Sequence, residues 1–151
     1  MQHASAGHLC MNVGEVCEEN VVTVCAVDKL EDAALALTAN RVDAVVVIAA
    51  AVTRPTAIGI ISDRDILRVA LEHPEGFLKL RVIDILPRSP VMLNQDEDID
   101  SAIRKLAAGG VRFAPVIGTG GTLRGAISQR DLLSWSAGAD ELRGSYTYPT
   151  R

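Results

Sequence analysis

"GIISDRDIL" occupies residues 59–67 and "GAISQRDLL" residues 125–133. Each runs glycine, two apolar residues, serine, two polar residues, aspartate and an apolar pair, so one phrase is written twice, 66 positions apart. An internal repeat of this kind constrains the architecture more than any single element does. Upstream of the phrases, "VGEVCEENVVTVCAVDKLEDAALALTANRVDAVVVI" (13–48) aligns without a gap on "VIDILPRSPVMLNQDEDIDSAIRKLAAGGVRFAPVI" (82–117), at a constant offset of 69. The apolar positions coincide: Val16 with Ile85, Val22 with Val91, Val24 with Leu93, Leu30 with Ile99, Leu37 with Leu106, Val47 with Val116. The offset falls to 66 within "AAAVTRPTA" (49–57), where a hairpin loop can absorb three extra residues.

Each copy reads as strand, helix, strand, strand, helix, an α/β unit of type β-α-β-β-α. The first strands lie in "VVTVCA" (21–26) and "PVMLNQ" (90–95). The helices that follow carry one apolar stripe, Leu30, Ala33, Ala34 and Leu37 in one copy and Ile99, Ala102, Ile103 and Leu106 in the other. Asp28 with Glu31, and Asp98 before Ser101, read as N-terminal capping pairs. Gly109-Gly110 ends the second of these helices, and "GTGG" (118–121) reads as a hairpin turn. Residues 12–76 thus form the first repeat and 77–137 the second, with His73-Pro74-Glu75-Gly76 breaking the chain between them. The tail 138–151 lacks periodicity and is expected to be mobile. Two units of about 65 residues are each marginal alone and are expected to pack on one another.

Composition narrows the function. Of 151 residues, 48% are apolar but only five are aromatic, so the core is aliphatic and no base-stacking surface is indicated. A net charge of −4 argues against a nucleic-acid partner, whose phosphates are met by a basic footprint. The longest apolar run, "AVVVIAAAV" (44–52), falls short of the roughly 20 residues of a membrane helix. The start "MQHASAGHLC" has no secretory pattern, so a cytoplasmic address and reduced thiols at Cys10, Cys17 and Cys25 are expected. No metal site is expected: His8 and Cys10 lack a second ligand pair at zinc spacing, and "DEDID" (96–100) lacks the glycine and glutamate of a calcium loop. "GTGG" is not followed by the Lys and Ser/Thr of a phosphate loop. The histidines, His3, His8 and His73, have no nucleophile set beside them in the sequence, so no catalysis is expected. Trp135 continues the final apolar stripe and reads as packing.

The repeated phrase itself has two readings. Ser62-x-x-Asp65 and Ser128-x-x-Asp131 are capping boxes, the serine accepting a backbone N–H and the acid reaching back. A helix N-terminus also favours anions, and an ionised aspartate can accept from both hydroxyls of a ribose diol. Arg64 and Arg130, beside the aspartates, are either solvated helix residues or phosphate partners, and the same choice holds for Arg112.

In this order and spacing the two phrases resemble the G-h-h-[ST]-x-x-D signature (h, apolar) of the cystathionine-β-synthase (CBS) domain, present as a tandem pair. "VRFAPVI" (111–117) resembles the Arg–aromatic–apolar–Pro–Val stretch that precedes it. The resemblance spans roughly 12–137. It implies two repeats packed about a pseudo-twofold axis with two clefts between them, and a homodimer of such pairs. It further implies a non-catalytic regulatory module that binds an adenosine ligand (AMP, ADP or ATP, with NAD or S-adenosylmethionine as further candidates), holds no covalent cofactor and modulates a partner protein.

Carried onto this chain, the resemblance puts Asp65 and Asp131 on ribose hydroxyls and Ser62 and Ser128 at ribose or phosphate. Backbone at Val22-Thr23 and Val91-Met92 would border the adenine. The copies depart from one another: Asp43 and Val46 stand where the second copy has Arg112 and Pro115, and Cys17 and Leu86 replace the methionine that often ends the leading helix. Asp43 is expected to repel phosphate from the half of the module that carries Asp65. The competing functional class is a dimeric interaction scaffold whose clefts bind nothing tightly.

Overall fold

The computed structural model describes residues 11–49 and 53–136. His3, His8, Cys10, the whole tail 138–151 and the centre of the 49–57 loop lie outside them. Each repeat begins with a one-turn helix, α1 (Val13–Val16) or α4 (Val82–Ile85). The first continues as β1 (Thr23–Cys25), α2 (Leu30–Asn40), β2 (Ala44–Ile48), β3 (Ala57–Ser62) and α3 (Asp63–Glu72). The second continues as β4 (Leu93–Asn94), α5 (Ile99–Gly109), β5 (Phe113–Ile117), β6 (Leu123–Ser128) and α6 (Gln129–Ser136). Each sheet has three strands, the first parallel to the second and the second antiparallel to the third. Both carry a register irregularity at the same aligned place, Val47/Ile48 and Val116/Ile117. The β-α-β-β-α reading therefore holds, with strands shorter than the apolar runs.

The aliphatic stripes face their sheets. Leu30, Ala33 and Leu37 are buried against Val45, Val47 and Ile61, and Ala102 and Leu106 against Ala114, Val116 and Ile127. Full burial of a Leu or Val contributes about 1.5–3 kcal/mol each, which is how a chain this poor in aromatics holds two cores.

The one-turn helices are exchanged between the repeats. Val13 of α1 is buried in the second core and Val82 of α4 in the first. Val13 and Gly14 donate backbone N–H bonds to Glu97 O (2.9 Å) and Gln95 O (2.8 Å); Val82 and Ile83 donate to Asp28 O (2.8 Å) and Ala26 O (3.0 Å). Every pair is related by the offset of 69, which makes the repeats symmetric about a pseudo-twofold axis and locks each to the other.

Helix ends show where sequence and structure part. Asp98 caps α5 as expected, accepting from Ser101 N at 2.7 Å. The cap of α2 is Lys29 and not Asp28: Asp32 reaches back to Lys29 N (3.0 Å), while Asp28 accepts from Cys25 N (2.8 Å) and closes the turn after β1. Gly110 ends α5 in the left-handed region at φ 63°, and Arg41 holds the aligned place after α2 at φ 55°. An L-residue adopts that conformation at a cost that glycine avoids. "GTGG" forms the turn between β5 and β6, with Gly120 and Gly121 at φ 72° and 78°.

Proline separates the two sheets chemically. Val46 N–H donates to Val22 O (3.0 Å) and Thr23 pairs with Val46, but the aligned residue in β5 is Pro115, which has no N–H. Pairing of β4 with β5 accordingly begins only at Leu93↔Val116. The Val91 carbonyl is left without the strand donor that its counterpart Val22 has.

Candidate functional site

Each repeated phrase carries the last strand of its repeat into the last helix. At the first, Ser62 caps α3: Asp65 N–H donates to Ser62 Oγ (3.2 Å), and Asp65 Oδ2 accepts from Ser62 N (2.9 Å) and Ser62 Oγ (2.9 Å). The capping reading is therefore correct here, and it leaves the other oxygen in play. Asp65 Oδ1 faces Arg68 at 3.7 Å, and the side chain stays 39% exposed, so the group that fixes the corner can still accept from a ligand. The second corner repeats the serine bond, Asp131 N–H to Ser128 Oγ at 3.1 Å.

Two clefts open between the repeats, and each takes its walls from both. The first brings Ser62, Arg64 and Asp65 of the first repeat against Pro87, Pro90, Val91, Val111 and Arg112 of the second. Its volume, open mouth included, is about 660 Å³. A side pocket continues past Asp65 to Arg68 and Leu86. The second cleft, about 790 Å³, brings Ser128 and Asp131 against Val22, Arg41, Val42 and Asp43. Ile60 and Phe113 border both. Their aligned counterparts are Ala126 and Ala44, which line the second cleft and leave it wider.

This crossing corrects one expectation. Asp43 belongs to the first repeat but lines the cleft of Asp131, whereas Arg112 of the second repeat lines the cleft of Asp65. The acid therefore stands away from the half it was expected to disfavour. Arg112 reaches across the repeats, with Nη2 3.5 Å from Asp63 Oδ1 and its guanidinium 5.1 Å over the Phe113 ring. Asp63 Oδ1 also accepts from Arg64 N at 2.7 Å.

Of the residues singled out from sequence, Ser62, Asp65, Arg64, Val91 and Arg112 meet in the first cleft, and Val22, Ser128 and Asp131 in the second. Thr23, Met92 and Arg130 line neither. Sequence reading missed Pro87, Pro90, Val111 and Arg41. The prolines were visible in "PRSP" (87–90) but carry no polar chemistry that would single them out. Cys17 and Cys25 are free thiols. Burial pushes the Cys17 thiol up, and nearby Arg124 draws it partly back. Among the described residues no His/Cys/Asp/Glu group is arranged to hold a metal ion, and no helix is long and apolar enough to cross a membrane.

The CBS domain family model matches twice, at residues 13–72 and 82–138. A CBS-domain protein of Pyrobaculum aerophilum, solved in complex with AMP, superposes with a TM-score of 0.72 at 26% identity, over 89% of this chain and all of that one. A CBS-domain protein of Agrobacterium tumefaciens superposes at 0.71 and 23% identity, over 90% of this chain and 98% of its own. The CBS domain of a bacterial Mg2+ transporter of the CNNM/CorC family, in complex with ATP, does so at 0.70 and 22%, over 87% and 90%. In sequence the chain is 22% identical over 123 residues to an uncharacterized protein of Methanopyrus kandleri, covering 82% of this chain and 61% of that protein's length.

Proposed function

The chain belongs to the CBS-domain family, and from that premise we propose that it is a regulatory module that senses an adenine nucleotide and modulates a partner protein. The observation that carries this reading is the cleft in which a capped but accessible Asp65 faces Arg112 across the two repeats. Asp65 Oδ1 accepts from the ribose diol. Arg112 and Arg64 meet the phosphate as guanidinium donors suited to that geometry. The base lies among Pro90, Val91 and Val111, where the Val91 carbonyl, with Pro115 opposite it, accepts from the adenine amino group. Guanine presents an acceptor at that edge and is disfavoured. AMP in the Pyrobaculum relative and ATP in the transporter domain support this ligand class.

Regulation follows from where the ligand sits. The walls come from both repeats, so affinity depends on their relative arrangement, and ligand shifts the population toward the arrangement it binds better. Phosphate competes with Asp63 for Arg112, which links occupancy to an inter-repeat ion pair. The setting is cytoplasmic and the role regulatory rather than catalytic.

A thermal-shift panel with AMP, ATP, NAD and S-adenosylmethionine tests this, with GMP as control. Binding to the folded state alone adds about 2.7 kcal/mol at a hundredfold excess over Kd. The melting temperature is expected to rise by several degrees with an adenine nucleotide and less with GMP. No shift with any adenosine compound at millimolar concentration would favour the interaction scaffold.

The working unit is a homodimer. Leu67 and Leu71 on α3 are 62% and 77% exposed, and Leu133 on α6, aligned with Leu67, is 45% exposed. These leucines support a second copy as their cover. Sedimentation at micromolar concentration is expected to give a dimer, and Leu67→Glu with Leu71→Glu a monomer; a wild-type chain that sediments only as a monomer contradicts it.

A further inference from the structure

Resting on the nucleotide reading above, we propose that the two clefts are not equivalent and that the chain binds one phosphorylated nucleotide, in the cleft of Asp65, because Asp43 and Arg112 hold aligned positions with opposite charge. Two independent observations carry this. The cleft of Asp65 is lined by two arginines, Arg64 and Arg112, against one aspartate. The cleft of Asp131 is lined by three carboxylates, of Glu18, Asp43 and Asp131, against one arginine, Arg41. A phosphate entering the first meets guanidinium donors, and one entering the second meets three carboxylates in the lining against Arg41.

The backbone points the same way. In the cleft of Asp131 the carbonyl facing a base is that of Val22, and it already accepts from Val46 N at 3.0 Å. In the cleft of Asp65 the aligned carbonyl, of Val91, stands opposite Pro115, which has no N–H to give it. One substitution of the repeat, Val46 to Pro115, opens the base-recognising acceptor; the other, Asp43 to Arg112, supplies the phosphate charge. Both fall on the same cleft, although the sequence places both in the repeat opposite to Asp65. Asp43 and Arg112 are thus the residues that set which cleft takes phosphate.

Calorimetric titration with AMP and with adenosine, on the full chain and two variants, separates the outcomes. The unaltered protein is expected to bind one AMP per chain. Arg112→Asp weakens AMP at least tenfold while changing adenosine affinity less, because only the phosphate contact is lost. Asp43→Arg supplies the missing phosphate charge but leaves the Val22 carbonyl engaged by Val46 N, so it adds a second and weaker AMP site, a gain that damage to the fold does not produce. Both side chains are solvent-accessible, and melting curves of the free variants verify that each is folded; Arg112→Gln and Asp43→Asn serve as milder replacements. Two equal AMP sites in the unaltered protein, or Asp43→Arg binding only as the unaltered protein does, overturns the charge assignment and leaves the nucleotide reading standing. No heat with AMP or adenosine at any concentration tested overturns the nucleotide reading, and this inference with it.

Discussion

Gly125→Ala is expected to lower the stability of the fold by about 3 kcal/mol, the upper range for forcing atoms into a filled site. A Cβ built on Gly125 falls on the backbone oxygen of Glu18 and 2.9 Å from Cys17 Sγ. The backbone there has little freedom, because Glu18 and Ala126 exchange two hydrogen bonds, at 2.9 and 3.0 Å, that join the chain after α1 to β6. Gly59, in the same place of the first phrase, makes the internal control. Its Cβ meets only the end of the Leu86 side chain, at 2.9 Å, which can rotate away. Gly59→Ala is therefore expected to cost about 1 kcal/mol. Two urea titrations compare them, and peptide-resolved alkylation adds a second reading. Cys17 is partly buried and its thiol is held up by that burial, so displacing α1 exposes it further and Gly125→Ala speeds its modification. Equal losses for the two glycines would remove the close approach of Glu18 as the cause.

The second large effect is on binding. Asp65→Asn is expected to weaken AMP by roughly ten- to a hundredfold, since hydrogen bonds to a charged group are worth about 1.5–3 kcal/mol. The asparagine side-chain oxygen still accepts from Ser62 N–H, so stability falls by about 1 kcal/mol or less. Asp131→Asn, in the cleft lined by Asp43, leaves AMP affinity nearly unchanged. This reverses the ranking that the aligned sequence suggests, and the reason is the crossing of Asp43 and Arg112 between repeats. If Asp65→Asn lowers the melting temperature but not the affinity, the first phrase is a helix cap and nothing more.

The same crossing marks what a single sequence can and cannot tell. Topology was legible because the constant offset of 69 pairs Leu37 with Leu106 and Val47 with Val116, and paired apolar stripes can only face paired sheets. The corners were legible because serine and aspartate three apart at a strand–helix junction have one local geometry. The offset, however, reports equivalence between the copies and is silent on which copy a short element docks against. Val13 and Val82 look like the first core residues of their own repeats, yet each is buried in the other's core. Asp43 was placed in the wrong cleft for the same reason. The shift of the α2 cap from Asp28 to Lys29 has a different origin. Lysine cannot accept the capping bond, so local chemistry favours Asp28, but the turn after β1 takes that carboxylate and Asp32 takes over the back-bond. Alignment of Lys29 with Asp98 pointed to the true position against the residue preference.

The most direct test of the nucleotide reading is a crystal structure of the protein grown with AMP. The account predicts AMP in the cleft of Asp65, its ribose hydroxyls on the Asp65 carboxylate, its phosphate on Arg112, its amino group on the Val91 carbonyl, and no nucleotide phosphate in the cleft of Asp131. AMP seated in the cleft of Asp131 instead, or both clefts empty at saturating AMP, would contradict it.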